Sequence, residues 1–278
     1  MCGGWTQNCL FMSDKCFFYD SLANAWEESG TMLSSRGLLG HAYSEVYGLA
    51  LIAGYDKSCE RLGSAEATYD GVSFRPIAPL PETAFQLCAV ALDESSLFVS
   101  VGAADSATYS NVSYIYDGIA DSWNRVADMP TGRNGHGCGA INGGREVVVA
   151  GGASDMGGEP EDVQDLDSVE IYNVETDSWR TGKETSSNPP NMGVQSQQYV
   201  RTLLSANNFP IPISDAASVQ FKDTFMLVGG KTTGADLDTI YMYEPDTDTW
   251  MELEERLPEA KNDAVAMTVS RSMFTECL

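Results

Sequence analysis

The residues best equipped for chemistry are acidic ones crowded into one stretch. The segment "ASDMGGEPEDVQDLDS", 153–168, carries Asp155, Glu159, Glu161, Asp162, Asp165 and Asp167. Carboxylate oxygens in such density suit two tasks. They can ligate a hard cation such as calcium, or they can meet the Lys and Arg side chains of a protein partner. The stretch lacks EF-hand spacing and the glycine that an EF-hand turn requires. A solvated loop poised for a basic partner is therefore the expectation. No cofactor and no metal centre are expected, and calcium is the one inorganic ligand that the oxygen set would suit.

Bases and nucleophiles are scarce. The chain has two histidines, His41 and His136, each shortly after an arginine, Arg36 and Arg133. Both precede apolar runs, where packing and hydrogen bonding at the start of a strand explain them. No G-x-S-x-G nucleophile elbow occurs. The glycine-rich "GHGCGAINGG" at 135–144 leads into a strand-like run, whereas a phosphate-cradling loop leads into a helix. No catalytic residue is assigned, and the chain is read as a non-enzyme. Seven cysteines, at 2, 9, 16, 59, 88, 138 and 277, leave at least one thiol unpaired in a monomer. Cys88 and Cys138 lie in apolar runs and read as buried small hydrophobes. Cys9 and Cys16 flank a turn and are candidates for a bridge. No C-x-x-C pair supports zinc.

Composition narrows the partners. There are 40 Asp and Glu against 16 Lys and Arg, for a net charge of −24 in 278 residues. Nucleic acid needs a basic footprint and is excluded as a partner. An anionic membrane surface is disfavoured in the same way. A protein partner of basic character is favoured. The most apolar stretch, "YGLALIAGY" at 47–55, is too short to span a bilayer, so no membrane insertion is expected. The first residues have neither a basic nor a continuous apolar region of signal-peptide type. As the chain stands it reads as cytoplasmic; a leader upstream would make it extracellular. The sequon Asn111-Val-Ser matters only in that second case.

The elements that must position these residues come from a repeat. Four Tyr–Trp pairs recur with a separation of seven: Tyr19 and Trp26, Tyr116 and Trp123, Tyr172 and Trp179, Tyr243 and Trp250. A fifth copy, "SAEATYDGVSF", is degraded and ends in Phe74, with Thr68 or Tyr69 in the Tyr role. Each is preceded by an apolar run ending in a Gly pair or its remnant: Gly3 and Gly4, Gly54, Gly102, Gly151 and Gly152, Gly229 and Gly230. Further upstream lie apolar runs starting near His41, Phe85, His136, Ala216 and Asp263, each followed by a short turn. The unit reads as strand, tight turn, strand, glycines, loop, strand, turn, Trp-bearing strand. Four antiparallel strands about every fifty residues are the mark of a propeller blade. The terminal aromatics fall at 26, 74, 123, 179 and 250.

At these residues the chain resembles the kelch repeat family, whose motif runs from an apolar strand through Gly-Gly to a spaced Tyr and Trp. The best copy is "VVVAGGA…VEIYNVETDSW". The resemblance spans nearly all of residues 1–278 and implies one all-β domain, a kelch-type β-propeller of four-stranded antiparallel blades. Five blades are the simplest count; a six-bladed parent clipped at both ends would leave the same termini. The chain starts at a Gly pair and ends in "NDAVAMTVSRSMFTECL". Its two ends are thus expected to build one blade, closing the ring and bringing Cys2 near Cys277. A surface insert at 186–213 interrupts the period, and the 153–168 loop links the second and third strands of its blade, where kelch binding loops commonly emerge. The resemblance implies a monomeric, non-enzymatic protein–protein interaction module. Asp155, Glu159, Glu161, Asp162 and Asp165 are its candidate binding residues, with Tyr199 and Arg201 of the insert. The alternative is a secreted enzyme or carbohydrate-binding propeller with a metal-supported centre, similar to galactose oxidase or a sialidase. The first needs more imidazole than two histidines supply. The second needs an arginine cluster and glycine-bearing Asp boxes that "NVETDSW" and "EPDTDTW" lack.

Overall fold

A computed structural model describes residues 2–4, 12–20, 23, 25–103, 109–155, 163–182, 203–204, 209–233 and 235–263. Among them no helix forms. The strands are β1 (Lys15–Asp20), β2 (Ala25–Thr31), β3 (Gly40–Ser44), β4 (Gly48–Tyr55), β5 (Arg61–Thr68), β6 (Arg75–Ile77), β7 (Cys88–Ala91) and β8 (Ser96–Ser100). They continue with β9 (Ser113–Asp117), β10 (Ser122–Val126), β11 (Gly137–Ile141), β12 (Glu146–Ala150), β13 (Ala153–Asp155), β14 (Val163–Asp165), β15 (Val169–Asn173) and β16 (Ser178–Thr181). The last are β17 (Leu203–Leu204), β18 (Ala217–Phe221), β19 (Thr224–Val228), β20 (Lys231–Thr232), β21 (Ala235–Asp236), β22 (Ile240–Glu244) and β23 (Thr249–Glu252).

Three sheets have four antiparallel strands, β3-β4-β5-β6, β7-β8-β9-β10 and β11-β12-β15-β16; a further sheet, β18-β19-β22-β23, gains β17 on its outer edge. These are blades of the β-propeller type. Strands β1 and β2 pair as the outer half of another. The residues expected to complete that blade, 264–278 with Cys277, lie outside the described residues. The chain groups into two compact units, one ending at Asn134 and the other beginning at Gly135.

The seven-residue spacing has a direct cause. Tyr116 faces Trp123, Tyr172 faces Trp179 and Tyr243 faces Trp250 as cross-strand partners on the outer strand pair. Their ring centroids lie 4.9, 5.2 and 5.2 Å apart. Each of these tyrosines is nearly fully buried, so its hydroxyl needs an acceptor. It donates to the aspartate five residues on: Asp121 at 2.7 Å, Asp177 at 2.8 Å and Asp248 at 2.6 Å. Those aspartates stand at φ of 47, 47 and 54°, a left-handed turn position that a short polar side chain tolerates. Burial and the adjacent carboxylate hold all three phenols above their ordinary range. The staple also reaches the preceding sheet. Trp123 Nε1 donates to the carbonyl of Ala78 at 2.8 Å, and Asp121 accepts from the Ala78 amide at 2.7 Å.

The sheet β3–β6 departs from this pattern. By register Thr68 faces Leu49 of β4, as Tyr116 faces Leu97 of β8. Thr68 therefore holds the Tyr position, and Tyr69 is in the turn, 60% exposed. The repeat glycines Gly3, Gly4, Gly54, Gly151, Gly152, Gly229 and Gly230 stand at positive φ; at Gly151, with φ +66°, a Cβ would also meet the Ile213 carbonyl oxygen at 2.4 Å. Gly102 is fixed by close approach instead, since its Cβ would meet the Gln86 carbonyl oxygen at 2.0 Å.

A second repeat feature was not visible in composition. Leu38, Gln86, Gly135, Asp215 and Asp263 all have φ between 48 and 59°. The first four stand two residues before β3, β7, β11 and β18. The amide of Gln86 donates to the carbonyl of Leu38, that of Asp215 to Gly135, and that of Asp263 to Asp215. This register separates the two histidines: Gly40 matches Gly137, so His41 matches Cys138 while His136 matches Leu39. They do not occupy one repeat position.

Three corrections concern covalent and local detail. Cys16 is bonded to Cys2, not to Cys9. Cys88 and Cys138 are buried as expected, but they are disulfide-bonded, as is Cys59. The insert is less peripheral than its composition implied. Leu203 and Leu204 pair with Met251 and Trp250. Phe209 and Ile213 are buried, Phe209 packing its ring 4.6 Å from Tyr241 and 4.8 Å from Trp250.

The core of the first unit also holds an ion pair. Arg36 Nε donates to Glu66 Oε1 at 2.8 Å, with both side chains 1% exposed. The remaining guanidinium donors reach Ala53 O, Ser64 O and Ser64 Oγ, and Glu66 Oε2 accepts from the Leu33 amide. Each nitrogen of the guanidinium and each oxygen of the carboxylate thus has a partner, and removing one member strands a buried charge. Glu66→Ala is expected to cost about 3–5 kcal/mol, read as a lowered urea midpoint at unchanged m-value.

Candidate functional site

The acidic loop is built as a ribbon. Its two arms, β13 and β14, pair as Ala153 with Asp165, Ser154 with Gln164 and Asp155 with Val163. The loop leaves after β12 and returns before β15, between second and third strands as expected. Asp155 and Asp165 lie on the two arms. Glu159, Glu161, Asp162, Tyr199 and Arg201 lie outside the described residues.

Asp165 is committed internally. Its Oδ1 accepts from Ser214 Oγ at 2.7 Å and its Oδ2 from the Thr233 amide at 2.9 Å. It thereby ties the base of its ribbon to the segment before β18 and to the turn between β20 and β21. The neighbouring ribbon β20-β21 has its own anchor. Lys231 Nζ lies 2.6 Å from Asp215 Oδ2, whose side chain is 4% exposed. Desolvation opposes the charge on Lys231, but the hydrogen bond and charge of Asp215 outweigh it and raise the lysine above its ordinary value. Asn262 Nδ2 donates to Asp236 Oδ1 at 2.7 Å. The backbone of 261–263 is held by Gly230, Leu237 and Asp215.

Asp165, Ser214, Asp215, Lys231, Asp236 and Asp263 thus form one interacting polar group. Only Asp165 was singled out from sequence. Asp215 and Lys231 carry no local motif; the signal that joins them is the recurrence of the left-handed position before each first strand. Among the described residues no group of three or more His, Cys, Asp or Glu side chains is placed to hold a metal ion. His136 is buried beside β11, and burial pushes the His41 imidazole below its ordinary value. The sequon is occupied structurally: Asn111 Nδ2 donates to the Met129 carbonyl at 3.1 Å, and Ser113 is 0% exposed. No helix among the described residues is long and apolar enough to cross a membrane.

Repeated four-stranded sheets, cross-strand Tyr–Trp pairs and loops between second and third strands define a β-propeller repeat protein. The Kelch motif model matches residues 133–185, the stretch that holds the complete sheet β11-β12-β15-β16, so this part of the chain is similar to a kelch repeat. No curated protein matches the chain.

Asp263 offers a check on the cluster. Although the residue is exposed, its carboxyl is partly desolvated and crowded by Asp215, and it is pushed up to about 6, against the pull of Lys231. A carboxyl raised on folding favours the protonated state, so its stabilising contribution is full below the ordinary carboxylate range and lost as pH rises through about 6. Asp263→Asn, which tolerates the same backbone, is expected to be more stable than the parent at pH 8. Solvent screening keeps the gain below about 1 kcal/mol. The two proteins should have equal melting temperatures near pH 4.

Proposed function

We propose that the chain is a non-enzymatic protein-interaction module, a single kelch propeller that takes a basic segment of a protein partner on its acidic loop. The observation that carries this reading is the β13-β14 ribbon. A lengthened loop is braced at its base by Asp165, while the acidic residues Glu159, Glu161 and Asp162 fall in the stretch that joins its arms. A rigid stem spares a binding loop part of the ordering cost on association. A net charge of −24 adds attraction for a basic partner at long range. Kelch-type propellers commonly serve as interaction scaffolds, which agrees with this reading. Five disulfide-bonded cysteines, 2, 16, 59, 88 and 138, favour an oxidising, extracellular setting over the cytosol.

The test is affinity capture from the source tissue with two baits, the intact chain and a variant with Glu159, Glu161 and Asp162 changed to Gln, Gln and Asn. A specific partner is expected on the intact bait alone, and 0.5 M NaCl should release it, at roughly the ionic strength where the Debye length falls to about 4 Å. A partner held equally by both baits would remove the loop from the interface.

A further inference from the structure

The hairpin turns of the first unit carry apolar residues that the fold does not call for. Ile119, in the turn between β9 and β10, is 79% exposed. The matching positions, three residues past Tyr172 and Tyr243, hold Glu175 and Asp246. Tyr69 follows the Tyr position of its sheet and is also exposed. Asp117, Asn173 and Glu244 follow that position in the other sheets. Val46, in the β3–β4 turn, and Val72, in the β5–β6 turn, are exposed as well. Scattered singly, such residues are ordinary; gathered on one surface, they mark an interaction site.

Bonds between the turns gather them. The Tyr69 hydroxyl donates to the Val46 carbonyl. Arg75 Nη2 donates to the Tyr47 carbonyl at 3.3 Å. The Val46 amide donates to the carbonyl of Glu94, in the β7–β8 turn, at 3.2 Å, and the Gly118 amide to the carbonyl of Ser95 at 2.8 Å. The buried Tyr47 ring closes on Gly118, where a Cβ would meet its Cδ1 at 2.8 Å. Four turns from two neighbouring sheets thus form one braced surface. Bracing spares it part of the ordering cost of association. It lies at the strand ends opposite the loops between second and third strands.

Charge selects the occupant. Glu45, Asp70, Asp93, Glu94, Asp117 and Asp121 stand in or beside these turns, against one cation, Arg75. Arg75 is already engaged by Tyr47 O and stands 5.9 Å from the Tyr69 ring. Such a surface repels a second copy of this acidic chain and an anionic membrane, and attracts a cationic partner. We infer that it docks a basic segment of a partner protein. Aliphatic side chains of that segment cover Val46, Tyr69, Val72 and Ile119, and its Lys or Arg side chains meet Glu45 and Glu94 at the rim, an apolar centre within a polar border. The surface is separate from the acidic loop and does not rest on that reading.

The test titrates three short peptides of equal length, alternating Lys–Leu, Lys–Ser and Glu–Leu, into the full chain and follows amide chemical shifts. Saturable shifts are expected at 45–47, 69–73, 93–95 and 118–120 with the Lys–Leu peptide alone. They should persist when Glu159, Glu161 and Asp162 are neutralised, which separates this surface from the loop. Val72→Ser with Ile119→Ser leaves the charge unchanged and should weaken binding at least fivefold at an unchanged melting temperature; Ile119→Ser alone carries the test if the pair does not fold. Glu45→Gln with Glu94→Gln should weaken it similarly and flatten its salt dependence. Absence of shifts at these turns, equal binding of the Lys–Ser peptide, or undiminished binding in the serine variant would overturn the inference. So would a dimer of the chain that Ile119→Ser dissolves, or co-sedimentation with phosphatidylserine vesicles that it abolishes, since either gives the surface a different occupant.

Discussion

The structure depends on how a buried tyrosine hydroxyl is satisfied. A tyrosine placed at the seam between sheets supplies a large apolar body, but it also carries a polar group that is costly to bury without an acceptor. The chain solves this with an aspartate five residues later, in a left-handed turn, pointing back at the hydroxyl. The tryptophan two residues beyond the aspartate then packs across the tyrosine. In the sheet β7–β10 the same aspartate and tryptophan also bond the chain that leaves β6. One local device therefore shapes the turn, fills the seam and joins a sheet to its predecessor. This is why the seven-residue spacing holds in every copy that keeps both Tyr and Trp, while the distance between successive terminal aromatics varies from 48 to 71 residues.

Function in such a scaffold falls to what the staple leaves free. The loops between second and third strands are outside the outer-strand seam, so they can lengthen without disturbing it. The acidic ribbon uses this freedom, yet one of its carboxylates, Asp165, bonds Ser214 and Thr233. Charge alone thus does not separate a recognition residue from a bracing one. The sheet β3–β6 shows the other kind of freedom. Its staple has decayed to Thr68 and Phe74, and Phe74 packs against Cys16, Met32 and Leu51 where an indole stands elsewhere.

Much of the architecture was legible because it is local. Hairpin turns, Gly pairs and Tyr–Trp spacing lie within a few residues of one another, and their repetition exposes the period. Asp121, Asp177 and Asp248 are of a residue type that favours turns, but the hydroxyl each accepts from becomes evident only when Tyr and Trp are seen face to face. Features set by distant pairing were not legible. The partner of Cys16 depends on which strand the N-terminus joins. The burial of Phe209 depends on a β17–β23 pairing between residues almost fifty apart. The Asp215–Lys231 pair requires two segments flanking the β18–β19 hairpin to be brought together. Thr68 rather than Tyr69 takes the Tyr position because register, not residue type, decides which side chain faces the seam.

The most direct measurement of the central claim is a double-mutant cycle on Tyr243 and Asp248, combining Tyr243→Phe with Asp248→Asn and reading stability by urea unfolding. A buried hydroxyl–carboxylate bond that staples the repeat predicts a coupling of about 1–2 kcal/mol. Independent, additive effects of the two substitutions would contradict it, and would leave the Tyr–Trp spacing as a matter of ring packing alone.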